Sequence, residues 1–311
     1  MKLIVTGASG QFGRATVEGL LERVPAQDLI LLTRTPAKLD DFAARGCNVR
    51  QGDYDDIGSM QAAFAGGEKM LMISAVKVGF RIPQHRRAIE AAVAAGVGQI
   101  VYTSFVGLEG ADTSLAVTDH RATEAMLLES GAEWTILRNS QYIDAVIEAQ
   151  APHALRSGKW IASAAEGKLS QVTRDDCVRA AIAVMAEDGH RNVTYNITGP
   201  ELLSFREIAT LIAEVAEAPI EYVVVDDEGM YAFFDSLGVP REAVPDLVVN
   251  AIPWSSDDMV SFERAIREGH MAVISGDVEK LTGHVPMSLR AFAQSRKADL
   301  MAAGKENPAN S

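Results

Sequence analysis

Over roughly the first 140 residues, short unbroken apolar runs alternate with longer stretches whose apolar positions recur at helical spacing. KLIVTG reads as a buried strand and RATVEGLLERV as the helix after it. DLILLTR is a second strand, and PAKLDDFAARG a helix opened by Pro36 and closed by Gly46. NVRQGD and DIGSMQAAFAG repeat the pair, as do KMLMIS and PQHRRAIEAAVAAG, then QIVYTS and TDHRATEAMLLESG. EWTILRN is a sixth strand. Apolar strands separated by helices of this length predict a parallel sheet covered on both faces, with right-handed crossovers.

Beyond about residue 145 the rhythm is lost. Shorter candidates appear, KWIAS, VTYNITG and IEYVVVD, with one clear helix in SFREIATLIAEVAE. The expectation is a doubly wound α/β domain over 1–145, a smaller α+β portion over 146–295 that partly interleaves with the main sheet, and a frayed tail over 296–311. Residues 226–275 resist assignment; their MYAFF and IPWSS segments suit ordinary packing better than a pocket cover.

The run between the first strand and its helix carries the clearest chemistry. It is Thr6, Gly7, Ala8, Ser9, Gly10, Gln11, Phe12 and Gly13, with spacing G-x-x-G-x-x-G. The first glycine allows a sharp turn off the strand, the second a close approach to a diphosphate, the third close packing of helix on strand. Free N–H groups at the helix start favour phosphate. Strand, glycine turn and helix in this order predict a Rossmann-type dinucleotide site. The second strand ends in Arg34, with Lys38 four residues on, where an NAD site would carry a carboxylate. A guanidinium pairs with a 2′-phosphate, so NADP(H) is expected over NAD(H). Asp53 and Tyr54, after the third strand, border the adenine in this reading, or Asp53 caps the next helix.

Composition narrows the class. A net charge of −13 argues against a nucleic-acid phosphate tracker. Cys47 and Cys177, the only two cysteines, form no C-x-x-C pair and read as reduced thiols of a cytoplasmic protein. The first residues are too short an apolar run for a signal peptide, and no run reaches membrane-spanning length. His153, His190, His270 and His284 share no ligand spacing, so no metal is expected; His85 reads more readily as a surface residue than as a cofactor contact through its helix start.

After the fifth strand a short-chain dehydrogenase would keep Ser, Tyr and Lys. Here YTS supplies Ser104, but if His120 fills the lysine slot, Ala116 stands where the tyrosine belongs. Tyr102, within the strand, reads as core or wall.

The segments VTGASGQFG, DYDD, PQHRRAIEAA, YTSF, ADTSL, H-x-x-TE-x-ML and LRNSQY resemble the NmrA-like group of atypical short-chain dehydrogenases. The likeness spans about residues 2–290 and is greatest to the branch of NAD(P)H:quinone oxidoreductases and triphenylmethane reductases. It implies a Rossmann domain, a C-terminal substrate portion and NADPH as hydride donor. It also carries over the glycine loop, Arg34, Ser74 and Ala75, Thr103 and Ser104, His120, and Asn139 with Tyr142. The chain departs from the branch in its FVGLEG insert, in residues 226–275 and in a longer tail.

Without the phenolic acid, an alkoxide product has no evident proton donor. A quinone or a triarylmethyl cation needs less help, so direct hydride transfer to an electron-poor conjugated acceptor is expected. His120, Ser104 and Tyr142 are the catalytic candidates, His120 orienting the nicotinamide or donating a proton. The expected partner is a small aromatic substrate, with neither nucleic acid nor membrane, and a homodimer is compatible with this class. The rival readings are a reductase of aryl ketones or benzylic ethers, and a dinucleotide-binding sensor without catalysis.

Overall fold

The computed structural model describes residues 1–109, 114–245, 247–249 and 254–306. In the first half β1 (Leu3–Val5), α1 (Gln11–Leu21), β2 (Leu29–Thr33), α2 (Asp40–Ala44), β3 (Asn48–Gln51), α3 (Ile57–Phe64), β4 (Lys69–Met72), α4 (Arg81–Ala94), β5 (Gln99–Phe105), α5 (Leu115–Glu129) and β6 (Glu133–Asn139) alternate as the periodicity predicts. Then come α6 (Ile143–Ala145), one π-helical turn over Val146–Gln150, α7 (Ala151–Ser157), β7 (Lys159–Ala162), β8 (Lys168–Leu169), α8 (Arg174–Ala186) and β9 (Val193–Ile197). The remainder is β10 (Leu203–Ser204), α9 (Phe205–Ala216), β11 (Glu221–Val224), α10 (Asp227–Ser236), α11 (Ser256–Arg267), α12 (Asp277–Thr282), α13 (Leu289–Ser295) and α14 (Lys297–Lys305).

Seven strands form one parallel sheet in the order β3-β2-β1-β4-β5-β6-β9. The order reverses between β1 and β4, and the crevice at their carboxyl ends is where such sheets bind ligands. Both faces are apolar, and period-2 alternation divides them. Leu3, Val5, Leu71 and Val101 face the core built with α1 and α8. Ile4, Met70, Met72, Ile100 and Tyr102 face the one built with α3 and α4. That alternation sends the side chains of Tyr102 and Ser104 toward α5 and that of Thr103 the other way.

The second portion has its own core, in which Leu155, Trp160, Phe205, Ile208 and Ile212 meet. There β7 pairs in parallel with β11, and β8 antiparallel with β10. A capping box, Ser204 with Glu207, opens α9. The stretch over 226–275 resolves into α10 and α11, joined by a small core of Met230, Phe234, Val239 and Val260. Asn250–Pro253 lie outside the described residues, as do Gly110 and the first three residues, 111–113, of the ADTSL segment.

Three expectations change. The helix from Pro36 to Gly46 is a 3₁₀ turn over Pro36–Leu39 followed by the short α2. The chain from Lys297 to Lys305 is not frayed, because α14 buries Leu300 and Ala303 against the second core. The last five residues, 307–311, lie outside the described range. His85 is fully buried rather than on the surface.

Candidate active site

The glycine turn is built as its spacing requires. Gly7 adopts φ +59°, in the left-handed region. At Gly13 a Cβ would stand 2.4 Å from the Gly7 carbonyl oxygen and 2.7 Å from Ala8 Cα, so only glycine lets α1 pack this closely. Gly10 N-caps α1 without a side-chain cap, leaving its first N–H groups free of one. Thr6 is tied down beneath the turn. Its hydroxyl donates to the Leu71 carbonyl (3.1 Å) and accepts from the Tyr54 hydroxyl (2.7 Å) and the Ile73 N–H (3.0 Å). Thr6 thus supports the loop from below, and Tyr54 points its hydroxyl inward. Ser9 and Thr33 share a hydrogen bond of 2.9 Å, which sets the loop against the end of β2.

Arg34 and Lys38 stand exposed just beyond that end. Among the described residues neither side chain has an ion-pair partner, whereas nearby Arg14 is bound to Asp41 and to the Lys38 carbonyl. Gln11 is exposed and Phe12 buried. Asp53 turns its carboxylate to its own loop, accepting from the Asp55 N–H at 3.0 Å. The helix cap falls instead on Asp56, which accepts from Gly58 and Ser59.

At the carboxyl ends of β4 and β5 a buried polar network replaces the missing tyrosine. Arg81 opens α4 at 8 % exposure and turns its guanidinium inward. It donates from Nε to the Ala75 carbonyl (2.6 Å), from NH2 to the Val76 carbonyl (3.2 Å) and from NH1 to His120 Nε2 (3.1 Å). A guanidinium can only donate, so His120 Nε2 is the acceptor and the ring proton sits on Nδ1. That Nδ1–H meets the Tyr102 hydroxyl at 2.7 Å. His85 repeats the arrangement. Its Nε2 accepts from the Ala75 N–H (3.0 Å), and its Nδ1 donates to Thr123 Oγ1 (2.9 Å), which donates to the Asp119 carbonyl (2.8 Å). Ser74 N–H is held by Thr103 Oγ1 at 2.9 Å.

Burial, and then the Arg81 charge, drive both imidazoles toward the neutral form. His85 is pushed down to about 3 and His120 well below its ordinary value. Burial also raises the Tyr102 phenol far above its ordinary value. A phenol therefore does lie beside His120, brought by β5 and not by α5, but it is buried and holds its proton. His120 has no N–H left to give. In this geometry it orients; its ring stacks on Phe105 at 5.9 Å.

Ser104 is not joined to His120. Its hydroxyl donates to Glu124 Oε1 at 2.5 Å, and Glu124 is clamped by Arg138 at 2.8 Å. Asn139 ends β6 and donates from Nδ2 to the Tyr142 hydroxyl at 3.3 Å. The Arg174 guanidinium covers the Tyr142 ring at 5.7 Å. Asn139 Oδ1 is buried without a partner among the described residues, an acceptor left for a ligand donor at the sheet's carboxyl edge. The three catalytic candidates are thus spread over separate hydrogen-bond groups. The residues that organise the centre, Arg81 and Tyr102, were not among the candidates. A charged residue at the very start of the helix after the fourth strand is the one sequence signal that marks Arg81.

Cys47 and Cys177 are buried and free. Among the described residues no three His, Cys, Asp or Glu gather as a metal site, and no helix is long and apolar enough to cross a membrane.

Two carboxyls on α11 give the fold a pH dependence. Burial raises Asp258 to about 6, with Asp119 adding and Arg81 opposing. Burial raises Glu263 to about 7, against hydrogen bonds from Ser163 and Ala164. Both keep a proton in the folded state that the unfolded chain has lost, so their contribution falls as pH rises from about 4 through 7. Glu263→Gln should therefore gain on the wild type across that window, by about 1–2 kcal/mol. Urea unfolding at both ends of the window checks this; a constant difference refutes it.

Residues 7–188 match a family model described as NAD(P)H-binding. Quinone oxidoreductase 2 of Escherichia coli is 36 % identical over 287 residues, covering 92 % of this chain and 96 % of that protein. Its crystal structure with NADPH superposes with a TM-score of 0.85 at 33 % identity, covering 94 % of this chain and 99 % of that one. The NADP(H) complex of a Citrobacter triphenylmethane reductase gives 0.83 at 30 % identity, covering 95 % and 100 %. The glycine cradle and the orphaned Asn139 acceptor fit the same cofactor class, and the chain belongs to the NAD(P)H-binding oxidoreductase family.

Proposed function

We propose that the protein is an NADPH-dependent reductase of electron-poor conjugated acceptors, quinones first among them. NADPH supplies the hydride when bound. The chain's own residues hold and orient. The turn from Thr6 to Gly13 meets the diphosphate with backbone N–H groups, and Arg34 with Lys38 meets the 2′-phosphate. Asn139 Oδ1 accepts from a carboxamide N–H. Arg81 and His85 fix the Ser74–Val76 turn, and His120 with Phe105 forms a wall beside it.

One observation carries the choice of acceptor: His120 is held neutral with both ring nitrogens engaged. A site without a ready proton suits acceptors whose reduced anion is delocalised, since general acid help is worth roughly 10²–10⁴-fold where it is needed. Quinone oxidoreductase 2 and triphenylmethane reductase, the relatives named above, bear names of this acceptor class. Both thiols are buried and unpaired, and we place the activity in a reducing cytoplasm.

Following NADPH absorbance with quinones, cationic dyes and aryl ketones tests the reading. Quinones and cationic dyes should be reduced and aryl ketones left untouched; oxidation with none of them, despite tight NADPH binding, overturns it. His120→Ala should lower turnover about tenfold or more by loosening the wall. The wild-type pH–rate profile should show no inflection near 6.5, the ordinary imidazole value. Such an inflection, lost in the variant, would return His120 to acid catalysis.

A further inference from the structure

α5 carries Asp119 and His120, yet its first turn is closed from outside. Ser114 at its N-cap makes no side-chain cap bond among the described residues. The first N–H groups of a helix have no partner within it and need acceptors from elsewhere. Here α11 supplies them. Ser261 Oγ accepts from the Leu115 N–H at 3.3 Å. The hydroxyl's own proton is donated within α11, to the Asp258 carbonyl at 2.9 Å, which leaves a lone pair for α5. The Asp258 carboxyl accepts from the next N–H, that of Ala116. Three and four residues apart, Asp258, Ser261 and Phe262 share one face of α11. Phe262 packs on Phe105 at 5.8 Å, and Phe105 stacks on His120 at 5.9 Å. Just beyond the capped turn, Asp119 accepts from the Gly79 N–H (2.7 Å) and His120 from Arg81 (3.1 Å).

We infer that α11 is the brace that positions His120: Ser261 and Asp258 cap α5 from across the fold, and Phe262 backs the Phe105 ring that stacks on the imidazole. The inference rests on the reductase reading above, since it concerns the geometry of that centre. Capping side chains fix where a helix starts. The turn they fix directly precedes Asp119 and His120. Slack in it therefore moves the imidazole against a guanidinium that the Ala75 and Val76 carbonyls hold still. α11 belongs to the second portion of the chain and α5 to the first, so the two portions meet at the active centre through these side chains. Ser261, Asp258 and Phe262 act through His120 and are positioning residues.

Ser261→Ala and Asp258→Ala each remove one acceptor, and Asp258→Asn keeps an amide oxygen in its place. Hydrogen exchange is read by NMR at about pH 8, where the Asp258 carboxyl is ionised. The Leu115 amide in Ser261→Ala and the Ala116 amide in Asp258→Ala should exchange about tenfold faster or more, as expected when a local tie is lost. With NADP⁺ present and no turnover, the ring nitrogen signals of His120 should shift in both variants. The kcat for benzoquinone should fall about three- to tenfold. NADPH affinity should stay within about twofold, because the glycine turn is untouched. Asp258→Asn should recover most of the Ala116 protection and of kcat. In a His120→Ala background the same substitutions should change kcat by less than about twofold, because their effect passes through the imidazole. Unchanged exchange overturns the cap. Faster exchange with wild-type ring signals, or an equal loss of kcat with and without His120, overturns the positioning role. Absence of NADPH oxidation by the wild type is the failure of the reductase reading alone; exchange and the ring signals need no turnover and still decide the brace.

Discussion

Gly13→Val should abolish measurable NADPH binding and lower the unfolding midpoint by about 3–5 °C, from an overpacking cost of about 2–3 kcal/mol. The atoms a Cβ would meet are the Gly7 carbonyl oxygen at 2.4 Å and Ala8 Cα at 2.7 Å. Both are backbone, so no rotamer change relieves the clash; either α1 lifts from β1 or the turn opens. Either movement displaces the N–H groups that meet a diphosphate. Gly10→Ala separates folding from binding. Its Cβ would lie 3.4 Å from the Gly7 oxygen and touch nothing closer in the free protein. Its stability should therefore be near wild type, while NADPH affinity falls about tenfold or more if the diphosphate lies against this turn. Calorimetric titration with thermal unfolding reads both effects. Tight NADPH binding by Gly13→Val would remove the glycine turn from the cofactor site.

Arg34→Glu should weaken NADPH binding by roughly 100-fold or more and leave NADH nearly unchanged. The side chain is exposed and, among the described residues, free of a carboxylate partner, so its charge is available to a phosphate. Replacing attraction with repulsion at hydrogen-bond range changes the interaction by about 3–4 kcal/mol, since charge-assisted pairs are worth about 1.5–3 kcal/mol. Exposure lets salt screen the effect, so the gap between variant and wild type should narrow as ionic strength rises. Lys38→Glu should act in the same direction and less, because it lies a turn farther from the end of β2. Equal NADPH affinity in Arg34→Glu and wild type would refute the phosphate role.

The first half of the chain was legible because its signals are local. Strand lengths, helix starts and the glycine turn follow from period, sterics and capping within a few residues of one another. The second half was less so. Its elements are held by partners distant in sequence: β11 by β7, α14 by α7 and α9, and α10 by α11. The polar tail concealed a helix because only a few of its residues, Leu300 and Ala303 among them, are buried. His85 looked like a surface residue for a similar reason. Its helix is mostly polar nearby, and only the fold shows Ala75 and Thr123 satisfying both ring nitrogens.

By itself the sequence determined the doubly wound sheet, the dinucleotide turn and the cationic end of β2, since each depends on neighbours in the chain and on rules of backbone geometry. Only the tertiary structure decided what His120 can do. Its protonation is set by a guanidinium from α4 and a phenol from β5, 39 and 18 residues away. Burial makes those two contacts outweigh anything intrinsic to the histidine, because in a site shut off from water the partners of a titratable group, and not its type, fix its charge.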